Sequence, residues 1–512
     1  MNTSVQNSQF MNKAQRIALD DIFRSRSELE RSLRRTKIIC TMGPACWDVE
    51  TLVKMIDAGM DVCRLNFSHG DHETHGECLK RVREAMKQRP EKKLGLLLDT
   101  KGPEIRTGMF KEGVKAIELK KGQQLKIVTD YNFLGDENCI ACTYPKLPQT
   151  VKPGSQILIA DGSLSVKVMD VQDDHVITEV MNNAKIGERK NMNLPGAKVD
   201  LPVCGEREIN DFLAFGIPNR MHFIAASFVQ CAQDIRDIRK ILGDAGRHFK
   251  ILPKIENQEG LIHFDEILAE ADGVMIARGD MGMEIPLEKV FLAQKMIISK
   301  CNLVGKPVIV ATQMLESMIN APRPTRAEVS DVANAVLDGC DCVMLSGESA
   351  NGAFPVNAVQ MLSRTCLEAE SCLDYPSLYK AIHSSVTLTG SLSVPEAVCC
   401  SAVESAEDVN ASCIIALTET GLTARLLAKY KPPQIILAVS ASDISIAQLS
   451  FVRGVIPIKV DSFQGTDSII RKAVAHAKDR KYAKPGDSVV CVHGILEDVS
   501  GHTNLMKIVN IQ

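Results

Sequence analysis

The 512-residue chain is predicted to be an α/β protein: a (β/α)8 TIM barrel, interrupted by a small β-barrel domain and followed by an open, Rossmann-like α/β domain. Three observations predict this. Eight short β-prone apolar runs lack polar–apolar alternation, as strands buried on both faces do. Helical periodicity lies between most of them, and strand–helix repeats imply parallel pairing through crossover helices. After the third run the texture changes to short alternating strands separated by Gly, Asp and Pro.

The eight runs occupy residues 37–41, 62–66, 94–99, 223–227, 250–254, 273–277, 307–312 and 342–346. Helical patterns fall at 49–57, 72–87, 233–242, 260–271, 287–302, 326–338 and 355–369. Thr325 reads as an N-cap, with Glu328 three residues later completing a capping box. The interruption carries β-like runs at 116–119, 124–128, 155–159, 164–170 and 175–180. Further strands at 413–417, 435–439, 455–460 and 488–492 form the last unit. The resulting division is an N-terminal extension at 1–30, barrel at 31–102, inserted domain at 103–203, barrel again at 204–372 and the C-terminal domain at 373–512.

Composition narrows the function. The formal net charge is −3, with no basic excess, which argues against nucleic acid as a partner. No apolar run reaches the roughly 20 residues of a membrane span, and the polar N-terminus lacks the apolar core of a secretory signal. Seventeen cysteines without scaffold spacing point to a reducing, cytoplasmic compartment. Cys139 and Cys142 have CxxC spacing but no second ligand pair nearby, so they are expected to be half-buried residues near a strand. His69, His72 and His75 read as polar residues of a helix start rather than a metal site. No Walker A loop and no GxGxxG after a strand is present, so a nucleotide would be held otherwise.

Active-site residues of such a barrel stand at the C-terminal strand ends. Here those ends read Arg64-Leu65-Asn66-Phe67-Ser68, Asp99-Thr100-Lys101, Lys254-Ile255-Glu256, Arg278-Gly279-Asp280, Thr312-Gln313 and Ser346-Gly347-Glu348. Glu256 and Asp280 are hard oxygen donors on successive strands, suited to Mg²⁺ shared with substrate oxygens. Lys254 lies two residues before Glu256 and so points to the same side of its strand, beside a phosphoryl group in transfer. Asn66, Ser68, Asp99 and Thr100 offer oxygens for a second, weakly charged cation such as K⁺, although turns use the same residues.

Several long motifs in one order resemble pyruvate kinase. They are residues 36–44, 64–70, 98–106, 193–196, 254–257, 277–282, 311–317, 322–328 and 345–348, and the resemblance runs from Arg35 to Gln512. It implies transfer of the phosphoryl group of phosphoenolpyruvate to ADP, giving pyruvate and ATP, with Mg²⁺ and K⁺ as cofactors. Glu256 and Asp280 would bind Mg²⁺, and Lys254 would neutralise the transferred group. The Gly279 and Asp280 amides with Thr312 would hold the substrate carboxylate, and Arg64 the phosphoryl group. Asn66, Ser68, Asp99 and Thr100 would hold K⁺, whose use Glu104 accompanies in this family. Asn66, Phe67, Ser68, His69, Arg106 and Lys190 would contact the nucleotide. Thr312, with Ser346 and a water, would relay the proton that enolpyruvate gains. The inserted domain would close as a lid, and the family implies a homotetramer.

In this family the C-terminal domain often binds a sugar-phosphate effector. The matching loop holds Thr418, Thr420, Gly421 and Thr423 at a strand-to-helix turn, where amides and hydroxyls suit an anion; an ordinary capped turn is the simpler reading. Glu419 in this loop, and Glu497 and Asp498 in the loop at 494–501, would repel a bisphosphate, so activation by fructose 1,6-bisphosphate is expected to be weak or nil. Two other readings are another Mg²⁺-enolate barrel acting on phosphoenolpyruvate and an inactive regulatory paralogue. The first lacks the two extra domains in this order. The second is opposed by the intact catalytic positions.

Overall fold

The computed structural model describes residue 17 and residues 22–462, 465–494 and 501–512. The eight predicted runs form one closed parallel barrel in chain order. Its strands are Lys37–Thr41, Val62–Asn66, Gly95–Asp99, Phe223–Ala226, Lys250–Ile255, Val274–Ala277, Val308–Ala311 and Cys342–Leu345. Closure brings Lys37 opposite Cys342 in the last strand. Most residues of these strands are buried, as strands between a filled lumen and a helical ring require. Ile39, Val62, Leu97, Leu252, Met275 and Ile309 fill the lumen. Phe451, from the C-terminal unit, joins this cluster and stands 5.0 Å from the ring of Phe223, closing the end of the barrel remote from the polar strand ends.

Most helices run close to their predicted bounds. Thr325 caps Arg326–Asp338 and Glu328 completes the capping box. Asp71 caps His72–Lys87, where His72 bonds Asp211 and His75 stacks on Phe67. Three differences have local causes. The pattern at 260–271 breaks at His263 into Gln258–Ile262 and Phe264–Glu270. A π-helical turn, Asp211–Gly216, follows Glu206–Asn210. A short helix, Arg278–Glu284, starts directly off the sixth barrel strand, outside the predicted helical stretches.

The interruption folds around its own apolar core, with a seven-stranded, mainly antiparallel sheet and a two-stranded ribbon. Cys142 is buried and Cys139 half-buried, both as free thiols. The last unit is a five-stranded sheet. Its final strand, Thr503–Asn510, runs antiparallel at the edge and carries no strand signal in the sequence reading, because it interrupts the strand–helix repeat and is mostly exposed. No helix among the described residues is long and apolar enough to cross a membrane.

Candidate active site

The fifth barrel strand delivers Lys254, and Glu256 follows it at the strand end; alternation along the strand turns both side chains the same way. Lys254 Nζ stands 2.8 Å from Glu256 Oε1 and 3.3 Å from Asp99 Oδ1. It donates to Ser227 Oγ at 2.9 Å. Asp99 comes from the third strand and is fully buried; its Oδ2 accepts from Arg64 Nε at 2.6 Å. Arg64 Nη1 donates to Thr41 Oγ1 at 2.8 Å. Four barrel strands thus meet in one charge cluster.

Opposed forces set the ionisation of the cluster. Burial presses the Lys254 ammonium downward, but Asp99 and Glu256 outweigh it, and the net shift is upward, so the lysine stays charged. Burial also disfavours the Asp99 carboxylate, yet Arg64 and Lys254 hold it below its ordinary range. Glu256 is lifted above that range, first by burial, with Lys254 opposing and the charge of Asp280 adding to the lift. Asp280 is raised too, by burial first, with Lys254 opposing and Glu104, Asp161 and Asp99 repelling. Carboxylates that repel one another in a buried mouth favour an added cation.

The donor set fits such a cation. Asp99 Oδ1 and Glu256 Oε1 are buried and accept no well-aligned hydrogen bond. Each is within ion-pair reach of Lys254, but at poor hydrogen-bond geometry. The other Glu256 oxygen, Oε2, is fixed by the Phe228 amide at 2.6 Å. Among the described residues no cage of three or more His, Cys, Asp or Glu is assembled. An ion on Glu256 and Asp280 would therefore complete its shell from substrate oxygens and water, as Mg²⁺ does.

Thr312, at the end of the seventh strand, adopts φ +73° and Gln313 φ +56°. For a β-branched residue this left-handed conformation costs about 1–3 kcal/mol and marks a position held for a purpose. Arg278 holds it, donating to the Thr312 carbonyl at 2.8 Å and to Ala311 O at 3.2 Å. Gly279 is packed against this turn: a Cβ there would lie 2.8 Å from Thr312 Cγ2. Gly279 and Asp280 fall in the first turn of their helix, where amides have no intrahelical acceptor. Ser346 caps the turn after the eighth strand, and its amide donates to Glu348 Oε2 at 2.7 Å. The other Glu348 oxygen takes the Leu315 amide at 3.0 Å, so one buried carboxylate ties the turns bearing Thr312 and Ser346.

The predicted K⁺ residues are brought together in part. Asn66 pairs in register with Asp99, and its Oδ1 accepts the Ser68 amide at 3.1 Å. Thr100 Oγ1 accepts the Ser227 amide at 3.0 Å. Of the nucleotide residues, His69 is exposed beside this turn, and Arg106 and Lys190 lie on paired segments of the inserted unit. Arg106 donates to Glu104 Oε2 at 2.8 Å and to Arg189 O at 2.9 Å. The Phe67 ring is buried and stacked on His75 at 4.3 Å, its amide donates to Asp99 O, and its carbonyl accepts from Arg207.

A cleft of about 640 Å³ between barrel mouth and inserted unit adjoins the cluster, lined by Glu104, Asn193, Phe228, Asn257, Asp280 and Glu284 among others. In the C-terminal loop, Thr418 is buried, Gly421 has φ +81°, and Thr423 Oγ1 is bonded to Thr503 Oγ1 at 2.7 Å. Glu419 lies in this loop, its carbonyl accepting from Ser440. Glu497 and Asp498 lie outside the described residues. The sequence reading names Arg278 and Glu348 among the strand-end residues without a role, and gives none to Ser227 or Phe228. Phe228 acts through its amide, Arg278 and Glu348 on main-chain groups, and Ser227 through a hydroxyl that only the fold brings to Lys254.

The chain is similar to known proteins along nearly its whole length. Residues 33–359 match the pyruvate kinase barrel domain and residues 396–509 the pyruvate kinase alpha/beta domain. A pyruvate kinase of Eimeria tenella is 62% identical over 98% of this chain and 94% of its own. A cytosolic isozyme of pyruvate kinase from Glycine max is 47% identical over 94% of this chain and 97% of its own. A crystal structure of a pyruvate kinase from Cryptosporidium parvum superposes with a TM-score of 0.93 at 53% identity, covering 97% of this chain and all (100%) of that one. A second C. parvum structure, in complex with ADP, gives 0.84 at 54% identity, covering 94% and 96%. With its strand-end cluster set in that framework, the chain is an enzyme that belongs to the pyruvate kinase family.

Proposed function

We propose that the chain transfers the phosphoryl group of phosphoenolpyruvate to ADP, yielding pyruvate and ATP as the last step of glycolysis in the cytoplasm. The observation that carries the reading is the Lys254 ammonium held between Glu256 and Asp99 at the barrel mouth, 2.8 and 3.3 Å away. Phosphoryl transfer asks a protein mainly for positioning and charge neutralisation, and this cluster supplies both.

Glu256 and Asp280 would hold Mg²⁺, and Asn66, Ser68, Asp99 and Thr100 would hold K⁺. When bound, these ions supply positive charge against the repulsion of two phosphorylated substrates. The remaining steps belong to the chain itself. Arg64 and Lys254 flank the phosphoryl group and offset its charge as it moves. The first-turn amides of Gly279 and Asp280, with the Thr312 hydroxyl, orient the substrate carboxylate. Arg106 and Lys190 on the inserted unit face the nucleotide, and closure of that unit excludes water that would otherwise take the phosphoryl group. The enolate then gains a proton at carbon. Thr312, fixed in its strained turn, with Ser346 on the neighbouring strand end and a water, is suited to relay it. Lys254 is less suited, because two carboxylates keep its proton in place.

The test is a lactate dehydrogenase-coupled assay with phosphoenolpyruvate and ADP, run with and without Mg²⁺ and K⁺. Pyruvate formation that needs ADP and both ions supports the reading. Phosphoenolpyruvate consumption without ADP, or none at all, refutes it.

A further inference from the structure

The chain enters the inserted unit just after Gly102 and leaves it just before Gly205, and one carboxylate holds both crossings. The Gly102 amide donates to Glu208 Oε1 at 3.2 Å, and the Gly205 amide to Glu208 Oε2 at 3.0 Å. Glu208 is 6% exposed. Its bond to Gly205 is an ordinary capping-box contact of the helix Glu206–Asn210. Its bond to Gly102 spans 106 residues and serves no cap. The entering segment is confined from the other side as well. Gly102 has φ +71°, and a Cβ there would lie 2.6 Å from the Cβ of Ser227, the residue that receives Lys254 Nζ.

We propose that Glu208 is a positioning residue that clamps the two hinge segments together and so sets the angle at which the inserted unit stands over the barrel mouth. The inference rests on the functional reading above in one respect: that reading places nucleotide contacts (Arg106, Lys190) on the inserted unit and the phosphoenolpyruvate contacts (Lys254, Gly279, Asp280, Thr312) on the barrel. A loosened hinge therefore weakens one substrate selectively. Glu208→Gln is the informative change. It keeps size and leaves one acceptor oxygen, but turns an NH₂ donor toward the second amide donor, so one arm of the clamp is lost.

The expected result in the full-length enzyme is a rise of about ten-fold in the KM for ADP, with the KM for phosphoenolpyruvate within about two-fold of wild type. Hydrogen-exchange mass spectrometry should show faster exchange in peptides containing Gly102 or Gly205, with barrel strands unchanged. Glu208→Asp keeps the charge near Gly205 but shortens the reach to Gly102, and serves if the glutamine variant does not fold. Both KM values moving together, or unchanged exchange at both crossings, overturns the clamp. A wild-type chain without kinase activity overturns the functional reading instead, and the exchange experiment then decides the clamp alone.

Discussion

Replacing Lys254 by methionine removes the ammonium and keeps the stem. In the native cluster that ammonium is 2.8 Å from Glu256 Oε1, 3.3 Å from Asp99 Oδ1 and 2.9 Å from Ser227 Oγ. At an effective dielectric of about 20, unit charges about 3 Å apart interact by roughly 5 kcal/mol. Removing one member of a buried pair costs about 3–5 kcal/mol. A phosphoryl group in transfer would meet Lys254 at similar range, and deleting a single cation of this kind lowers turnover by about 10³–10⁵-fold in comparable chemistry. Two results are expected from Lys254→Met. In the coupled assay kcat falls by at least about 10³-fold. In thermal unfolding the variant melts below wild type without divalent ions, and Mg²⁺ recovers part of the loss, because it returns positive charge to Glu256. A variant within ten-fold of wild-type kcat, or one that Mg²⁺ leaves no more stable, would refute the reasoning.

Gly279→Ala places a methyl 2.8 Å from Thr312 Cγ2 and should lower kcat/KM for phosphoenolpyruvate by about 10–100-fold; adding Thr312→Ser, which lacks that methyl, should bring the double variant back to the level of Thr312→Ser alone. His222 accepts the Leu96 amide at Nδ1, and burial first, then His248 and Arg83, depress its pKa from 6.5 to about 4. The folded state thus favours the neutral ring: stability is complete above pH 6.5 and drains as pH falls toward 4, by at most about 1.4 kcal/mol per unit. His222→Gln should flatten that part of the melting-temperature profile, and parallel profiles would count against it. Fructose 1,6-bisphosphate at sub-saturating phosphoenolpyruvate should activate by no more than about two-fold, since Glu419 lies in the loop and Thr423 already bonds Thr503; strong activation would show that the loop rearranges.

The barrel was legible because its strands are buried on both faces and write uninterrupted apolar runs, and the polar residues closing those runs must lie at one mouth. Lys254 and Glu256 could be paired in advance, since two residues along a strand return to the same side. What left no signal was contact made only by the fold, mostly through main-chain groups. Ser227 and Phe228 reach Lys254 and Glu256 by one hydroxyl and one amide. Arg278 braces a carbonyl, and Glu348 joins two amides across the barrel rim. Arg278 stands beside Gly279 and Asp280 in the sequence without a role of its own, and only its bonds to Ala311 O and Thr312 O give it a structural task. Phe67 shows the converse: a motif places it among contacts, and tertiary packing, which no motif records, turns its ring inward onto His75. The edge strand Thr503–Asn510 stayed hidden because half-solvated antiparallel strands need no apolar run.

The charge balance of the mouth gives the proposed ion requirement a basis apart from family resemblance. Asp99, Glu256 and Asp280 are three carboxylates; Arg64 and Lys254 are the two cations paired or coupled with them. Glu104 and Asp161 add further repulsion at Asp280. By itself the cluster leans negative where two phosphorylated anions would have to enter. Glu256 and Asp280 are both displaced upward, by burial first and then by the neighbouring carboxylates, with Lys254 opposing. A divalent ion held by Glu256 and Asp280 would offset that negative charge and favour an anionic substrate. If that ion is what admits anionic substrates, neutralising one carboxylate, as in Glu256→Gln, should weaken ion binding and substrate binding together, and a variant that loses one without the other would refute the link.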